Sequence, residues 1–416
     1  MVIGDAPIRG KAEDRFGRAK LAERIAAEVV NAPSDQGFVM ALCGPWGTGK
    51  TSLMALVEEC LGERVVVLRF NPWFFSGTED LVARFFAELA AVLSHGDEQL
   101  RRIAVRLARY AGSVSGFAAL IPGAGMPLAA VLNAVQQGAA AGEATPTLDE
   151  RYGELREALD EFDERIVVLV DDLDRLSDHE VREVVRLVKL VGDLPRLTYI
   201  LAFDRERLED ALGRDAADPD GIRPRGRAYL EKIVQSRYDV PPLRRQQVLK
   251  LMLEQFNAAI ATHGEPHLHE VDWQNMVGHS IQKMVRTPRD AKRLANAVGP
   301  ALALYGEEVA LVDILGLEVL RILEPDVHSR LSDLAEILVG ARFRLGDEQK
   351  HREEDSQRVD AVVARAQHPE EVRAMLGQLF PRSGMVFGAS PRSLYEETKE
   401  RRDKRVEPDQ VSRRPF

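Results

Sequence analysis

The sequence predicts an α/β fold in which a central parallel sheet of five strands is flanked by helices and followed by an all-α C-terminal region. Three observations support this prediction. Short apolar runs alternate with segments of helical periodicity as far as Val240. Two of the runs end in residues suited to phosphate or metal chemistry, as expected at the carboxyl ends of parallel strands. Beyond Pro241 and Pro242 the apolar spacing is helical nearly to the end.

The sequence predicts a series of strands and helices, most of them separated by turn residues. The predicted strands are five runs, at residues 37–42, 64–70, 166–170, 197–203 and 236–240. Helices are predicted from one-sided apolar spacing that begins near Leu21, Ser52, Thr78, Val181 and Ala228. The polar segment 213–227 is rich in Asp, Pro and Gly and is therefore predicted to be a loop.

A glycine-rich octet, Gly44-Pro45-Trp46-Gly47-Thr48-Gly49-Lys50-Thr51, lies between the first predicted strand and the helix after it. Its glycines let successive backbone N–H groups turn toward one anion, while Lys50 adds charge and Thr51 offers a hydroxyl to Mg²⁺. The helix N-terminus adds partial positive charge. The predicted nucleotide-binding residues are Gly44, Trp46, Gly47, Thr48, Gly49, Lys50, Thr51 and Ser52.

A run of carboxylates, Asp171, Asp172 and Asp174, follows the most apolar strand. Mg²⁺ held against terminal phosphates needs hard oxygen ligands, so Asp171 is predicted to be a metal ligand together with Thr51. Adjacent residues at a strand end point to different sides, which makes Asp172 the candidate for polarising the attacking water. Asp174 competes for that role. The alternative is an acidic turn that only caps the next helix.

Two arginines of the C-terminal region are predicted to stabilise charge on the transferred phosphoryl group. Thr287 and Pro288 predict the start of a helix, on which Arg289 and Arg293 share one face. An exposed basic face without a catalytic role is the alternative. Asp204 and Arg205 follow the end of the fourth strand, where either one of them senses the terminal phosphate or both form a plain turn.

Composition limits the classes of function. The 416 residues suffice for a nucleotide-binding domain and a further domain. The net charge of −10 does not indicate a generally basic nucleic-acid surface, although a local patch stays open. Two cysteines and no apparent signal peptide predict a reducing, cytoplasmic setting.

The run from Tyr110 to Gly142 contains no charged residue. Its length would permit a membrane helix. Pro122 and Pro127 break it into short pieces, and its Ala and Gly residues contribute little transfer free energy. The sequence leaves two interpretations open: a buried or self-associating hairpin, and a membrane contact through residues 110–142.

Several strings of residues together resemble the KAP family of P-loop NTPases, which is related to the STAND and AAA+ ATPases. They cover most of the chain: Phe16-Gly17-Arg18, the octet with Ser52, Phe70-Asn71-Pro72-Trp73, Val170 to Arg175, Leu201 to Arg205, Tyr229 to Gln235 and Thr287 to Arg293. The tryptophan inside the phosphate loop and the string Asp171-Asp172-Leu173-Asp174-Arg175 distinguish this resemblance from a generic phosphate-loop match.

The resemblance implies ATP and Mg²⁺ as ligands, with Arg18 and Asp204 among the nucleotide-binding residues. It implies that the strand ending at Asp171 lies beside the phosphate-loop strand, and that a helical region covers the nucleotide. In many members the insertion between the two motifs crosses the membrane twice. Bacterial members that resemble this chain are linked to defence against phage or plasmids.

The resulting expectation is a Mg²⁺-dependent ATPase acting as a nucleotide-driven switch or motor. Its partners would be further copies of the chain or proteins encoded nearby. The alternatives are a non-hydrolysing scaffold stabilised by ATP, a membrane-associated signalling ATPase, and a small-molecule kinase, against which the large helical C-terminal part argues. The predicted organisation is an NTPase core at 1–245 with an insertion at about 98–147, a helical domain at 246–390 and a charged tail at 391–416.

Overall fold

The computed structural model describes residues 6–75, 81–114, 147–214, 221–263, 270–306, 308–339 and 348–380. Most of the uncharged run 110–142 and all of the tail 391–416 lie outside the described residues. Within the described ranges, no helix has both the length and the apolar character needed to cross a membrane.

The centre of the N-terminal part is a sheet of five parallel strands, which confirms the predicted number and direction. The strands are β1 (Phe38–Cys43), β2 (Val65–Phe70), β3 (Arg165–Val170), β4 (Leu197–Phe203) and β5 (Ser236–Asp239). Their spatial order is β2-β3-β4-β1-β5.

The expectation that the acidic strand lies beside the phosphate-loop strand is wrong. β4 lies between β3 and β1 and pairs with both of them. All seven residues of β4 are buried, as a strand needs to be when it has a neighbour on each side and helices on both faces. Motifs read along the chain do not reveal which strand occupies this central position.

Helices cover both faces of the sheet. Alternate residues of each strand point to opposite faces and therefore pack into two different hydrophobic clusters. In β1, Val39, Ala41 and Cys43 belong to one hydrophobic cluster. Met40 and Leu42 belong to a second cluster. The surrounding helices are α1 (Ala19–Asn31), α2 (Lys50–Leu61), α3 (Leu81–Ser94), α4 (Glu98–Val114), α5 (Leu148–Asp160), α6 (Asp178–Val191), α7 (Arg205–Gly213) and α8 (Ile222–Leu230), with 3-10 turns at Lys11–Glu13, Gly62–Arg64, Pro72–Phe75 and Leu173–Arg175.

The loop predicted at 213–227 is wrong for its second half, because α8 already begins at Ile222. Pro224 lies in the first turn of this helix, where a proline does not remove a needed hydrogen bond. The turn-forming residues of this segment therefore led to a loop prediction where a helix begins.

The chain divides into two compact units. One spans Pro7–Pro241, and the other contains the described residues from Pro242 onward. In the second unit every described element is helical, as the sequence predicts. Its elements are α9 (Arg245–His263), α10 (Glu270–Asn275), a π-helical turn (Met276–Ile281), α11 (Pro288–Tyr305), α12 (Leu311–Leu323), α13 (Glu348–Val363) and α14 (Pro369–Leu379), with short turns at Gln282–Met284, Pro325–His328, Ser332–Leu334 and Ala335–Leu338.

Candidate nucleotide site

The glycine-rich loop joins β1 to α2 at the carboxyl edge of the sheet. Gly47 and Gly49 have φ values of 82° and 89°, a region that side chains other than glycine rarely adopt. A Cβ atom on Gly49 would also lie 2.7 Å from Nη1 of Arg18. The Gly44 N–H donates to the carbonyl of Phe203 at 3.2 Å, which anchors the loop to the neighbouring strand β4. Backbone geometry and close packing therefore both require glycine in this loop.

Lys50 begins α2 and is buried. Its Nζ donates to the carbonyl oxygen of Gly44 at 2.9 Å and to that of Pro45 at 3.4 Å. The same Nζ forms an ion pair with Oδ2 of Asp174 at 3.0 Å, and both side chains are about nine-tenths buried, at 8% and 12% exposure. A buried ammonium needs such partners, because an unpaired one would carry a large desolvation cost.

Arg18 lies behind the loop and is buried. Its Nη1 donates to the carbonyl of Thr48 at 2.5 Å, and its Nη2 donates to the carbonyl of Pro241 at 3.1 Å. Burial lowers the pKa of the guanidinium from its ordinary value, partly offset by Asp14. The side chain therefore fastens the phosphate loop to the chain that follows β5.

Thr51 and Asp171 meet across the site. The Thr51 hydroxyl donates a hydrogen bond to the Asp171 carboxylate, and the backbone N–H of Asp172 donates to Oδ1 of Asp171 at 2.8 Å. Burial raises the pKa of Asp171 above its ordinary value, although these two hydrogen bonds and Lys50 act in the opposite direction.

This pair fits a magnesium ion by its chemistry, since a hydroxyl and a carboxylate are hard oxygen donors. Among the described residues no group of three or more His, Cys, Asp or Glu side chains could enclose a metal. A protein-bound Mg²⁺ usually keeps several waters and takes its remaining ligands from one or two protein groups and from phosphate.

Asp172 has an unusual backbone, with φ 59° and ψ 29° in the left-handed region. Few residues other than glycine adopt it, although Asp and Asn do so more readily than most. The Asp172 carboxylate forms an ion pair through Oδ1 with Nε of Arg175 at 2.8 Å. Its Oδ2 lies 3.5 Å from the amide nitrogen of Asn71.

Three residues near Asp172 were missed as site residues by the sequence argument: Asn71, Trp73 and Arg175. The Arg175 guanidinium carbon lies 5.8 Å from the centroid of the Trp73 ring. Asn71 and Trp73 follow β2, whereas Arg175 follows β3, so only the pairing of these two strands brings them together. Both sequence strings, Phe70 to Trp73 and Val170 to Arg175, match the KAP family. That match does not indicate that the two strings are in contact.

The other candidates of this unit occupy different positions. Asp204 caps the N-terminus of α7, accepting from the backbone N–H groups of Glu206 and Arg207 at 3.0 and 3.3 Å. The Ser52 hydroxyl accepts from the backbone N–H of Ile8 at 3.4 Å. Trp46 is 66% exposed at the surface of the loop.

Cys43, at the end of β1, is buried. Burial raises the pKa of its thiol to about 12. The thiol is therefore protonated at neutral pH and has no nucleophilic character there.

Arg289 and Arg293 lie in the C-terminal unit, in the first two turns of α11. This helix begins as predicted: the Thr287 hydroxyl accepts from the backbone N–H of Asp290 at 3.1 Å, and the Asp290 carboxylate accepts from the N–H of Thr287 at 2.9 Å. Pro288 occupies the first helical position. Arg289 is half-buried and Arg293 is exposed.

A five-stranded parallel sheet, a glycine-rich loop between β1 and α2 and a carboxylate at the end of β3 together define a P-loop NTPase fold. The sequence profile of the KAP family P-loop domain matches residues 18–304. The chain belongs to this family.

A curated relative, the phage T7 exclusion protein of Escherichia coli strain K12, is 28% identical over 269 residues. The match covers 57% of this chain and 34% of that protein, so the chain spans about a third of the relative's length.

Several solved structures are similar at low sequence identity. The ORC2 protein of Aeropyrum pernix is 13% identical with a TM-score of 0.39, over 87% of this chain and 82% of that one. A RuvB protein of Thermotoga maritima is 11% identical with a TM-score of 0.35, over 95% and 99% of the two chains. These likenesses are too distant to bear on function.

Proposed function

We propose that the chain is a Mg²⁺-dependent ATPase whose nucleotide state acts as a switch. The observation that carries this proposal is the hydrogen bond between the Thr51 hydroxyl and the Asp171 carboxylate, directly beside the buried Lys50. A hydroxyl and a carboxylate in contact at a phosphate loop are the oxygen ligands that a phosphate-bound Mg²⁺ requires.

The proposed roles follow from these positions. The loop N–H groups and Lys50 bind the phosphates, and Thr51 and Asp171 would hold Mg²⁺, which supplies positive charge next to the terminal phosphates. Asp172 orients the water that attacks the terminal phosphorus, whose bond to the bridging oxygen breaks as ADP leaves. Charge stabilisation and positioning dominate such a reaction.

Asp172 is a better candidate for this water than Asp174, because Asp174 already neutralises Lys50 at 3.0 Å. When phosphate binds, Lys50 exchanges one anionic partner for another. In this proposal, Asp174 neutralises Lys50 until phosphate binds. Arg289 and Arg293 remain proposed contributors to charge stabilisation, a role that rests on the sequence.

The direct test is to measure ATP binding and steady-state phosphate release on purified full-length variants. We expect Lys50→Ala to abolish binding, since both the charge and the loop contacts are lost. We expect Asp172→Asn to bind ATP normally and to lose turnover by roughly 100-fold or more, the contribution of a positioned general base. Arg289→Ala and Arg293→Ala should lower turnover while leaving ATP affinity intact.

The principal alternative, an ATP-stabilised scaffold without turnover, is decided by the same measurement. A wild-type chain that binds ATP and releases no phosphate, alone or with proteins encoded nearby, would be a scaffold. Turnover by Asp172→Asn at the wild-type rate would instead show that the assignment of Asp172 is wrong.

We further propose that the switch serves exclusion of phage. The support is the 28% identity to the phage T7 exclusion protein, within a match that covers 57% of this chain and 34% of that relative.

A further inference from the structure

A chain of contacts links Asp172 to the protein surface. Oδ1 of Asp172 is paired with Nε of Arg175 at 2.8 Å. The guanidinium of Arg175 lies over the ring of Trp73, 5.8 Å from its centroid. The Arg175 side chain is 41% exposed and Trp73 is 46% exposed. The Asp172 side chain, in contrast, is only 21% exposed.

The second oxygen of Asp172 faces Asn71. The backbone N–H of Trp73 donates to Oδ1 of Asn71 at 3.1 Å, which fixes the orientation of the amide. The Asn71 Nδ2 group is thereby directed at Oδ2 of Asp172, at a long distance of 3.5 Å. The tight contact to Asp172 is therefore the one from Arg175.

The local backbone is built around this ion pair. Asp172 adopts the left-handed conformation, and the 3-10 turn Leu173–Arg175 then brings Arg175 back to it, three residues along the chain. A left-handed non-glycine residue costs free energy and persists where its surroundings determine it. Here the surroundings are the Asp171 carboxylate on one side, which accepts the Asp172 N–H, and Arg175 on the other.

We propose that Arg175 is a positioning residue for Asp172, and that Trp73 holds Arg175 in the required orientation. This inference rests on the proposed ATPase function, because it concerns the carboxylate that orients the attacking water. An ionised carboxylate has about four lone-pair sites. Arg175 occupies one of those on Oδ1 and Asn71 faces one on Oδ2, which leaves about two for the attacking water at a partly exposed side chain.

Trp73 suits this role because a guanidinium stacks on an aromatic face with favourable electrostatics. Trp73 follows β2 and Arg175 follows β3, so the stacking also ties together two adjacent strand ends. Without the ring, an exposed arginine would sample several rotamers and hold the carboxylate poorly.

The test uses the full chain and compares Arg175→Ala, Arg175→Lys and Trp73→Leu with wild type. We expect Arg175→Ala to lower kcat roughly 10- to 100-fold with KM and the Kd for ATP unchanged, since only the orientation of a catalytic group is lost. Arg175→Lys should recover part of this loss, because lysine keeps the charge but not the planar, stacked guanidinium. Trp73→Leu should give a smaller decrease in kcat.

The matched control is Arg186→Ala. Arg186 is an exposed arginine on α6 that also pairs with a carboxylate three residues away, Glu183, at 3.0 Å. It lies outside the nucleotide site, so its removal should leave kcat unchanged.

A double-mutant cycle decides whether Arg175 acts through Asp172. In the Asp172→Asn background, Arg175→Ala should have no further effect on the residual rate, since the group that it positions is already altered. An equal loss in both backgrounds would mean that Arg175 acts on the phosphate directly, and a higher kcat in Arg175→Ala would mean that it restrains Asp172. Either result overturns the proposal.

A readout without nucleotide tests the stacking itself. Acrylamide quenching of tryptophan emission, with the contribution of Trp73 identified by Trp73→Phe, should increase in Arg175→Ala and stay unchanged in Arg186→Ala. Unchanged quenching in Arg175→Ala overturns the role of Trp73. A wild-type chain without phosphate release overturns the ATPase function, whereas normal turnover in Arg175→Ala overturns only the positioning role.

Discussion

Among single residues, Lys50 and Gly49 of the phosphate loop each meet two physical requirements at once. Lys50 must stay charged for phosphate while it is buried, and the carbonyl of Gly44 and the carboxylate of Asp174 make this tolerable. A side chain at position 49 would force the Arg18 guanidinium to move, since a Cβ atom there would lie 2.7 Å from its Nη1. Glycine at position 49 is thus set by a neighbouring arginine as well as by its own φ.

We expect Gly49→Ala to impair nucleotide binding beyond its effect on stability. The left-handed φ alone should cost about 1–2 kcal/mol of unfolding free energy. In addition, the new methyl group would displace the Arg18 guanidinium, which approaches to 2.7 Å, and so distort the loop. The Kd for ATP should rise by roughly 10-fold or more, since 1.4 kcal/mol of lost binding free energy already corresponds to that factor.

The control is Gly62→Ala. Gly62 also has a positive φ, of 58°, but a Cβ atom there would meet nothing within 4 Å. Because its ψ of −147° lies near a region almost confined to glycine, its unfolding free energy should fall by at least as much, while the Kd for ATP stays at the wild-type value. Equal Kd values for the two variants would contradict the role given to Arg18.

Among the elements, the helices α7 and α8 are held together by a close backbone contact at Gly226 and by ion pairs of Glu209. Glu209 of α7 is buried, and it pairs with Arg205 at 2.6 Å and with Arg227 of α8 at 3.3 Å. A Cβ atom on Gly226 would lie 1.9 Å from the carbonyl oxygen of Glu209, so the two backbones are in direct contact. The close approach of the two helices brings the partly exposed Arg227 within reach of the buried Glu209 carboxylate.

We expect Gly226→Ala to destabilise the phosphate-loop unit by roughly 3 kcal/mol, at the upper end of overpacking effects, because a backbone carbonyl cannot move aside as a side chain can. Gly153→Ala is the matched comparison. Gly153 lies inside α5, and a Cβ atom there would meet nothing within 4 Å. It should stabilise the chain by about 0.5–1 kcal/mol. Thermal unfolding followed by circular dichroism measures both; a loss at Gly153 or none at Gly226 would contradict this account.

At the scale of the whole molecule, the chain consists of a phosphate-loop unit and a helical unit. It matches a third of the length of the phage T7 exclusion protein of Escherichia coli.

We expect Escherichia coli cells that produce the chain to lower the plating efficiency of phage T7. Cells that produce Lys50→Ala to the same level should plate the phage as cells without the chain do, because the proposed switch cannot operate without bound nucleotide. Equal plating on all three strains would contradict the proposed role and would leave the biochemical ATPase assay unaffected.

The fold class and the position of the phosphate loop follow from local patterns in the sequence. Four of the five strands were found because buried parallel strands read as short apolar runs, whereas β5 is a short, partly exposed strand of mostly polar residues. The octet that ends at Thr51 is local, since eight consecutive residues contain the glycines, the cation and the hydroxyl. The start of α11 at Pro288 was also local, because Thr287 and Asp290 cap it from within one turn.

Only the tertiary structure decided the order of the strands and the partners of the charged residues. β4 lies between β1 and β3, which no local pattern encodes. The pairing of β2 with β3 brings Trp73 and Asn71 to Arg175 and Asp172, about 100 residues apart in the chain. Asp174 binds Lys50 across 124 residues. Sequence motifs specify which groups are present, whereas strand order and packing specify which of them meet.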